Sequence, residues 1–148
     1  MRRIIALSAA AFLLVACSPE APGGGALTPP ADAPAPDPAA EYRVDFHLSG
    51  TEPFWGADIV GTEIRVSRPD QPEVTAVNAG LGLVEGRAIW TAQAGQSLVM
   101  ATLTRGECSD GMSDLKWPFT AELKIGEEVL KGCAAPRDAM PREGGQTG

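Results

Sequence analysis

The chain has 148 residues, with 12 Lys and Arg against 19 Asp and Glu for a net charge of −7, one histidine and three cysteines. An acidic chain with no Lys/Arg cluster or stripe excludes electrostatic binding to nucleic acid or to anionic lipid headgroups. A single histidine, His47, excludes His-clustered zinc or copper sites, and no other cofactor motif is present.

The first segment, Met1-Arg2-Arg3 followed by IIALSAAAFLLVA, has a short cationic start and an apolar run too short for a membrane span. This is the layout of a secretory signal, removed rather than folded. Its end, Leu14-Val15-Ala16-Cys17, resembles the lipobox of bacterial lipoproteins: a branched apolar residue, small residues, then the cysteine that carries the lipid. The resemblance implies a diacylglycerol on the Cys17 thiol, cleavage before Cys17, and acylation (palmitate) of the new amine. Ser18 rather than Asp follows, which under the sorting rule of such lipoproteins implies the outer membrane, facing the periplasm. Several acyl chains at about 0.8 kcal/mol per buried CH₂ anchor a protein stably without a transmembrane helix. Loss of residues 1–16 removes Arg2 and Arg3, so the mature chain is more acidic still.

Residues 17–40 follow as SPEAPGGGALTPPADAPAPDPAA after Cys17, nearly all Pro, Ala, Gly and small acids. They cannot bury enough apolar area to offset their ordering entropy, so they read as a disordered, semi-extended tether. The end, 136–148, has similar composition and reads as a flexible tail. One domain remains, 41–135. At that size a core buries only about two-thirds of the unfolded surface, and reinforcement is useful. Cys108 and Cys133, in an exported domain, most simply supply it as a disulfide.

Within the domain, Tyr42, Val44, Phe46 and Leu48 alternate with Arg43, Asp45, His47 and Ser49, the period-two pattern of a half-buried strand. Further strand-like runs cover 55–60, 63–68, 73–77, 87–93, 97–104, 118–125 and 128–131. Gly61-Thr62 and Gly126-Glu127 suit type II′ hairpin turns, and Gly95-Gln96 marks another turn. No amphipathic helical stretch of ten residues competes. The fold class expected is all-β: a small antiparallel meander of about eight strands closing into a barrel, with a β-sandwich as the alternative. Side chains can fill a barrel this small, so an interior ligand is optional. The longest irregular stretch, RGECSDGMSDLKW at 105–117, holds half of the proposed disulfide; Cys133, just past the last expected strand, would pin it to the closing seam.

Asp45, His47 and Ser49 present the residue classes of a hydrolase triad on one strand face. Residues two apart on a strand stand about 7 Å apart, too far for the His–Ser hydrogen bond, and no G-x-S-x-G elbow is present; a solvated face is the reading adopted. Glu107, Asp110 and Asp114 crowd the long loop, but their spacing does not match a calcium loop, and turn-capping of backbone amides suits them better. Met112 is either a plug for the barrel mouth or an exposed contact. In Glu52-Pro53-Phe54-Trp55, Pro53 biases Glu52 toward extended geometry, and Phe54 and Trp55 point to opposite sides of the following strand. Glu52 is expected to accept hydrogen bonds from amides of the long loop. The candidate binding surface is therefore Glu52, Phe54 and Trp55 with Asp110, Met112, Ser113 and Asp114.

Taken together, GTEPFW (50–55), CSDGMSDLKWP (108–118) and LKGCA (130–134) resemble an uncharacterised family of bacterial envelope proteins, often lipoproteins. Some of its members are joined to domains like the membrane-bound inhibitors of c-type lysozyme. The resemblance implies an envelope location, a β fold and a Cys108–Cys133 bond, and it lends no activity. The Ser-Gly-rich loop of the inhibitors proper has no counterpart here. The reading reached is a lipid-anchored, monomeric, non-catalytic binding or envelope-maintenance module for an envelope protein or small ligand. Two alternatives stand beside it: inhibition of a cell-wall-degrading lysozyme, favoured by the negative charge, and an enzyme pairing Glu52 with a loop carboxylate in an open pocket.

Overall fold

A computed structural model of the chain describes residues 35–142. The signal segment, Cys17, most of the tether and the last residues of the tail lie outside the described residues. After a 3₁₀ turn at Ala40–Tyr42, eight strands follow: β1 (Phe46–Thr51), β2 (Phe54–Val60), β3 (Glu63–Ser67), β4 (Val74–Val84), β5 (Arg87–Ala94), β6 (Ser97–Cys108), β7 (Trp117–Ile125) and β8 (Glu128–Pro136). All neighbours are antiparallel, and β8 pairs with β1, Phe46 opposite Pro136 and Ser49 opposite Cys133, to close the barrel. The all-β meander barrel expected from the alternation is the fold observed.

The turns follow from glycine chemistry. Gly61, Gly95 and Gly126 each have positive φ as the first residue of a two-residue hairpin, as type II′ requires. Glu52-Pro53, a cis peptide, forms the β1–β2 turn between paired Thr51 and Phe54.

Inward-facing positions alternate large and small. Trp90 lies between Ala88 and Ala92 on β5, and faces Ala101 on β6. Phe46 meets Phe119 edge-on at 5.4 Å and Trp90 at 5.9 Å, giving an aromatic centre surrounded by alanines. Tyr42 closes one end of the barrel: it is buried, lies 5.5 Å from Phe119, and its hydroxyl donates to the Gly86 carbonyl at 3.2 Å. Burial, helped by the adjacent Glu41 charge, raises its phenol above the ordinary value. Tyr42 is thus a plug from a 3₁₀ turn; the strand expected from residue 42 begins at Phe46, and Val44 is exposed.

Three strands run further than their alternation indicates. β4 continues from Val77 to Val84 through a bulge, because Gly80, with φ of 112°, lets the ladder shift from Asn78 opposite Ala92 to Leu81 opposite Trp90. The buried Asn78 side chain accepts the Gly80 amide at 2.8 Å and holds the bulge. β6 passes Thr104 and reaches Cys108 through a second bulge. β8 passes Lys131 and reaches Pro136, so Cys133 lies within the last strand, opposite Ser49 and Thr120, not beyond it. The tail expected from 136 also begins ordered: Arg137–Ala139 form a 3₁₀ turn, and the Arg137 amide donates to the Asp45 carbonyl at 2.9 Å.

The seam between β1 and β8 is tight. A Cβ on Gly132 would overlap the Ser49 carbonyl, and one on Gly50 would overlap the Trp55 indole and approach the Lys131 carbonyl. Only glycine allows this approach. Among the described residues no helix is long and apolar enough to cross a membrane.

Candidate functional site

In an eight-strand antiparallel meander, the β6–β7 connection opens at the end where the chain enters and leaves, and the β1–β2 turn lies at the other end. Yet the Thr51 hydroxyl donates to the Asp110 carbonyl at 3.0 Å. The connection must therefore run back along the outside of the seam. Cys108 and Cys133 hold it there with a disulfide, Cα atoms 5.6 Å apart. Around that bond a small second core forms outside the barrel: Trp117, Cys133 and Ala135 are buried together, with Leu115 and Met140 against them.

Asp110 organises the loop. Its Oδ1 accepts the amides of Met112 at 3.0 Å and Ser113 at 2.9 Å, and its Oδ2 accepts the Ser113 hydroxyl at 2.8 Å. The Met112 amide, then the Ser113 hydroxyl and amide, hold its carboxyl below the ordinary value. The buried Trp117 indole nitrogen has no partner in hydrogen-bonding geometry among the described residues, yet its N–H adds a smaller pull in the same direction. Of the three carboxylates expected to cap turn amides, Glu107, Asp110 and Asp114, it is Asp110 that does so among the described residues. Glu52 is exposed and accepts no hydrogen bond among the described residues, so the expectation that loop amides seal it is corrected; Thr51 makes the link instead.

Between the turn and the loop is an open cavity of about 710 Å³, floored by Lys131 and Gly132 and lined by Thr51, Glu52, Phe54, Ser109, Asp110 and Met112 among others. Phe54 and Met112 stand at its rim, 56% and 69% exposed. Four of the seven expected surface residues, Glu52, Phe54, Asp110 and Met112, are thus brought to one place. Trp55 is not among them: it is buried in the barrel core, and its indole N–H donates to the Lys131 carbonyl at 3.2 Å. Ser113 faces Asp110 inside the turn, and Asp114 is exposed; neither lines the cavity. Thr51, Ser109 and Lys131 were not picked out by sequence reasoning. Thr51 and Lys131 sit inside the GTEPFW and LKGCA stretches, but only barrel closure brings those stretches together.

Asp45, His47 and Glu107 have partners outside this cavity. Asp45 accepts the Gly61 amide at 3.0 Å, and His47 Nδ1 meets the Asp58 carboxylate at 2.9 Å across the β1–β2 ladder, so Asp45, His47 and Ser49 form no relay. Asp58 also takes Arg137 at 2.6 Å, and the His47 ring stacks on Trp117 at 6.4 Å. Glu107 pairs with Lys116 at 3.0 Å, and among the described residues no three His, Cys, Asp or Glu side chains converge on a metal position. The open cavity does place Glu52 near a second carboxylate, but both Asp110 oxygens are committed to the loop and its carboxyl is held ionised. That arrangement suits a fixed turn better than proton transfer.

Comparison with protein families, with curated proteins and with solved structures found no match.

Proposed function

We propose that this chain is a lipid-anchored protein of the bacterial envelope, held at the outer membrane and facing the periplasm, whose barrel acts as a non-catalytic binding module. The observation that carries the reading is the cavity between the β1–β2 turn and the β6–β7 loop, rimmed by the exposed side chains of Phe54 and Met112. Concave sites with apolar rims and a few placed polar groups are where ligands are held. Loops fixed on a rigid scaffold are where binding residues gather. The signal segment, the lipobox-like Leu14-Val15-Ala16-Cys17 and the resemblance of the three motifs to envelope lipoproteins support the location.

Immobilised full chain should capture a component from envelope extracts, and Phe54→Ala and Met112→Ala, each shown to be folded, should each lose it. Capture unchanged in both variants would count against the site. The net charge of −7 also favours a second reading, docking to a cationic cell-wall-degrading lysozyme. Lysozyme turnover left intact by micromolar protein at low salt would remove it.

A further inference from the structure

A second open cavity, of about 400 Å³, lies on the outer face of β5 to β8 and is lined by Arg87, Thr102, Thr104, Thr120 and Glu122 among others. Lys131 lines both this cavity and the one beside Glu52 and Phe54. It belongs to none of the ion pairs among the described residues. Glu122, Thr102 and Ile89 continue outward from it in ladder register, Lys131 opposite Glu122, Glu122 opposite Thr102, Thr102 opposite Ile89. Three strand spacings of about 4.8 Å carry this row about 14 Å beyond Lys131.

We propose that the two cavities form one groove hinged on Lys131, and that it takes an extended, uncharged, polyhydroxylated chain: a linear glycan. This rests on the binding-module reading and specifies its ligand. Charge comes first. Of the two cations that line it, Arg87 already pairs with Glu85 at 3.1 Å and Lys131 is in no ion pair among the described residues, against three carboxylates, Glu52, Asp110 and Glu122, so the groove is weakly acidic and carries no basic field. A polyanion finds no matching field there, and two carboxylates in excess give a polycation only a weak one.

The closed barrel comes second. Each of β5 to β8 is paired on both sides, so the groove floor offers no strand edge to which an extended peptide could add. What it offers is side-chain chemistry: beside the apolar Ile89 and Met100 stand the hydroxyls of Thr102, Thr104 and Thr120, the last donating to the Thr104 carbonyl at 3.4 Å, with an ammonium and carboxylates, which together donate to and accept from ligand hydroxyls. Third, Phe54 at the far end presents an exposed ring, a flat apolar surface for the carbon–hydrogen face of a sugar ring.

The test titrates the full chain with uncharged β-linked N-acetylglucosamine oligomers of two and six rings, followed by amide chemical shifts and calorimetry. The two-ring oligomer should shift amides near Phe54 and Met112 only. The six-ring oligomer should also shift Thr102 and Thr120, and bind about tenfold more tightly, worth about 1.4 kcal/mol. The double variant Thr102→Val/Thr104→Val keeps the shape and strand preference of both residues; it should cut six-ring affinity to the two-ring value and leave two-ring binding unchanged. Equal binding of the two oligomers, or a tight six-ring complex indifferent to the double variant, would overturn the extended groove. Shifts produced by an uncharged extended peptide and not by either oligomer would overturn the glycan. If neither oligomer binds while Phe54→Ala and Met112→Ala still abolish capture of envelope material, the glycan falls and the binding-module reading stands; if those variants leave capture unchanged, both fall.

Discussion

Inside the barrel, Phe46, Trp90 and Phe119 are fixed by apolar burial and by strand register on both sides. Outside it, residues 108–117 are fixed by one disulfide, one carboxylate and the burial of Trp117. The difference separates what makes the fold from what makes the cavity beside Glu52. The interior is distributed over all eight strands, so its loss is cooperative. The outer layer hangs on a few named bonds, so it can loosen while the barrel persists. The open cavity forms where these two parts meet, with one wall, Thr51 to Phe54, belonging to the barrel and the other, Ser109 to Met112, to the outer layer.

The largest effect should come from the interior. Phe46 is fully buried against three aromatic rings, and Phe46→Ala should cost about 3–5 kcal/mol, seen as one cooperative shift of the denaturation midpoint. Removing the disulfide with Cys108→Ala and Cys133→Ala should come close behind. The bond spans 25 residues, which the chain-entropy model values at about 3.5 kcal/mol. Its spatial signature is different. Hydrogen exchange should accelerate most at 109–116, with amides of β2 and β3 accelerating only by as much as global stability is lost. Uniform acceleration over the whole domain would erase the distinction between the two parts.

How far each part was legible in the sequence follows the same division. β2, β3, β5 and β7 alternate cleanly because one face packs inward and the other meets solvent. The second half of β4 was hidden by Gly80, Gly82 and Gly86, which look like loop punctuation, but Gly80 serves a bulge, Gly86 a tight turn, and Gly82 pairs with Ile89 inside the strand. The end of β8 was hidden for another reason. Cys133, Ala134 and Ala135 are all buried, one face by the barrel and the other by Trp117 and its neighbours, so no alternation exists to be read. The site was legible as two loops rich in unusual residues. Its third side was not, because Lys131 becomes part of it only when β8 closes on β1 and the β6–β7 connection folds back over the seam.

A smaller and more local effect belongs to Asp110. The amides and hydroxyl it accepts stabilise its ionised form in the folded state, so its folded pKa lies below its unfolded one. Its contribution to loop order is therefore present above the unfolded value and lost as pH falls through the lower, folded value. The Met112 and Ser113 amide resonances should titrate with a midpoint below the ordinary Asp value of 3.8. In Asp110→Asn that titration should vanish, because the side chain still accepts hydrogen bonds but carries no charge. Interior amides such as that of Leu103 should report neither change. A midpoint at or above 3.8 would mean that the Asp110 carboxylate does not organise the loop, and the outer layer would then depend on the disulfide, Trp117 and the hydrogen bond from Thr51 to the Asp110 carbonyl.

The smallest effect on stability should come from the residue with the largest effect on binding. Phe54 is 56% exposed on the outward side of β2, while its neighbour Trp55, one position along, is buried and bonded to the Lys131 carbonyl. Phe54→Ala removes a ring that makes little of the core, so the denaturation midpoint should move by no more than about 0.5 kcal/mol. Trp55→Ala would instead open a cavity in the interior and strand the Lys131 carbonyl, at a cost of about 3–5 kcal/mol. The pair therefore separates fold from function across a single peptide bond. If Phe54→Ala destabilised the domain as Trp55→Ala does, the ring would belong to the core, and the cavity would lose the exposed aromatic wall on which its use as a binding site depends.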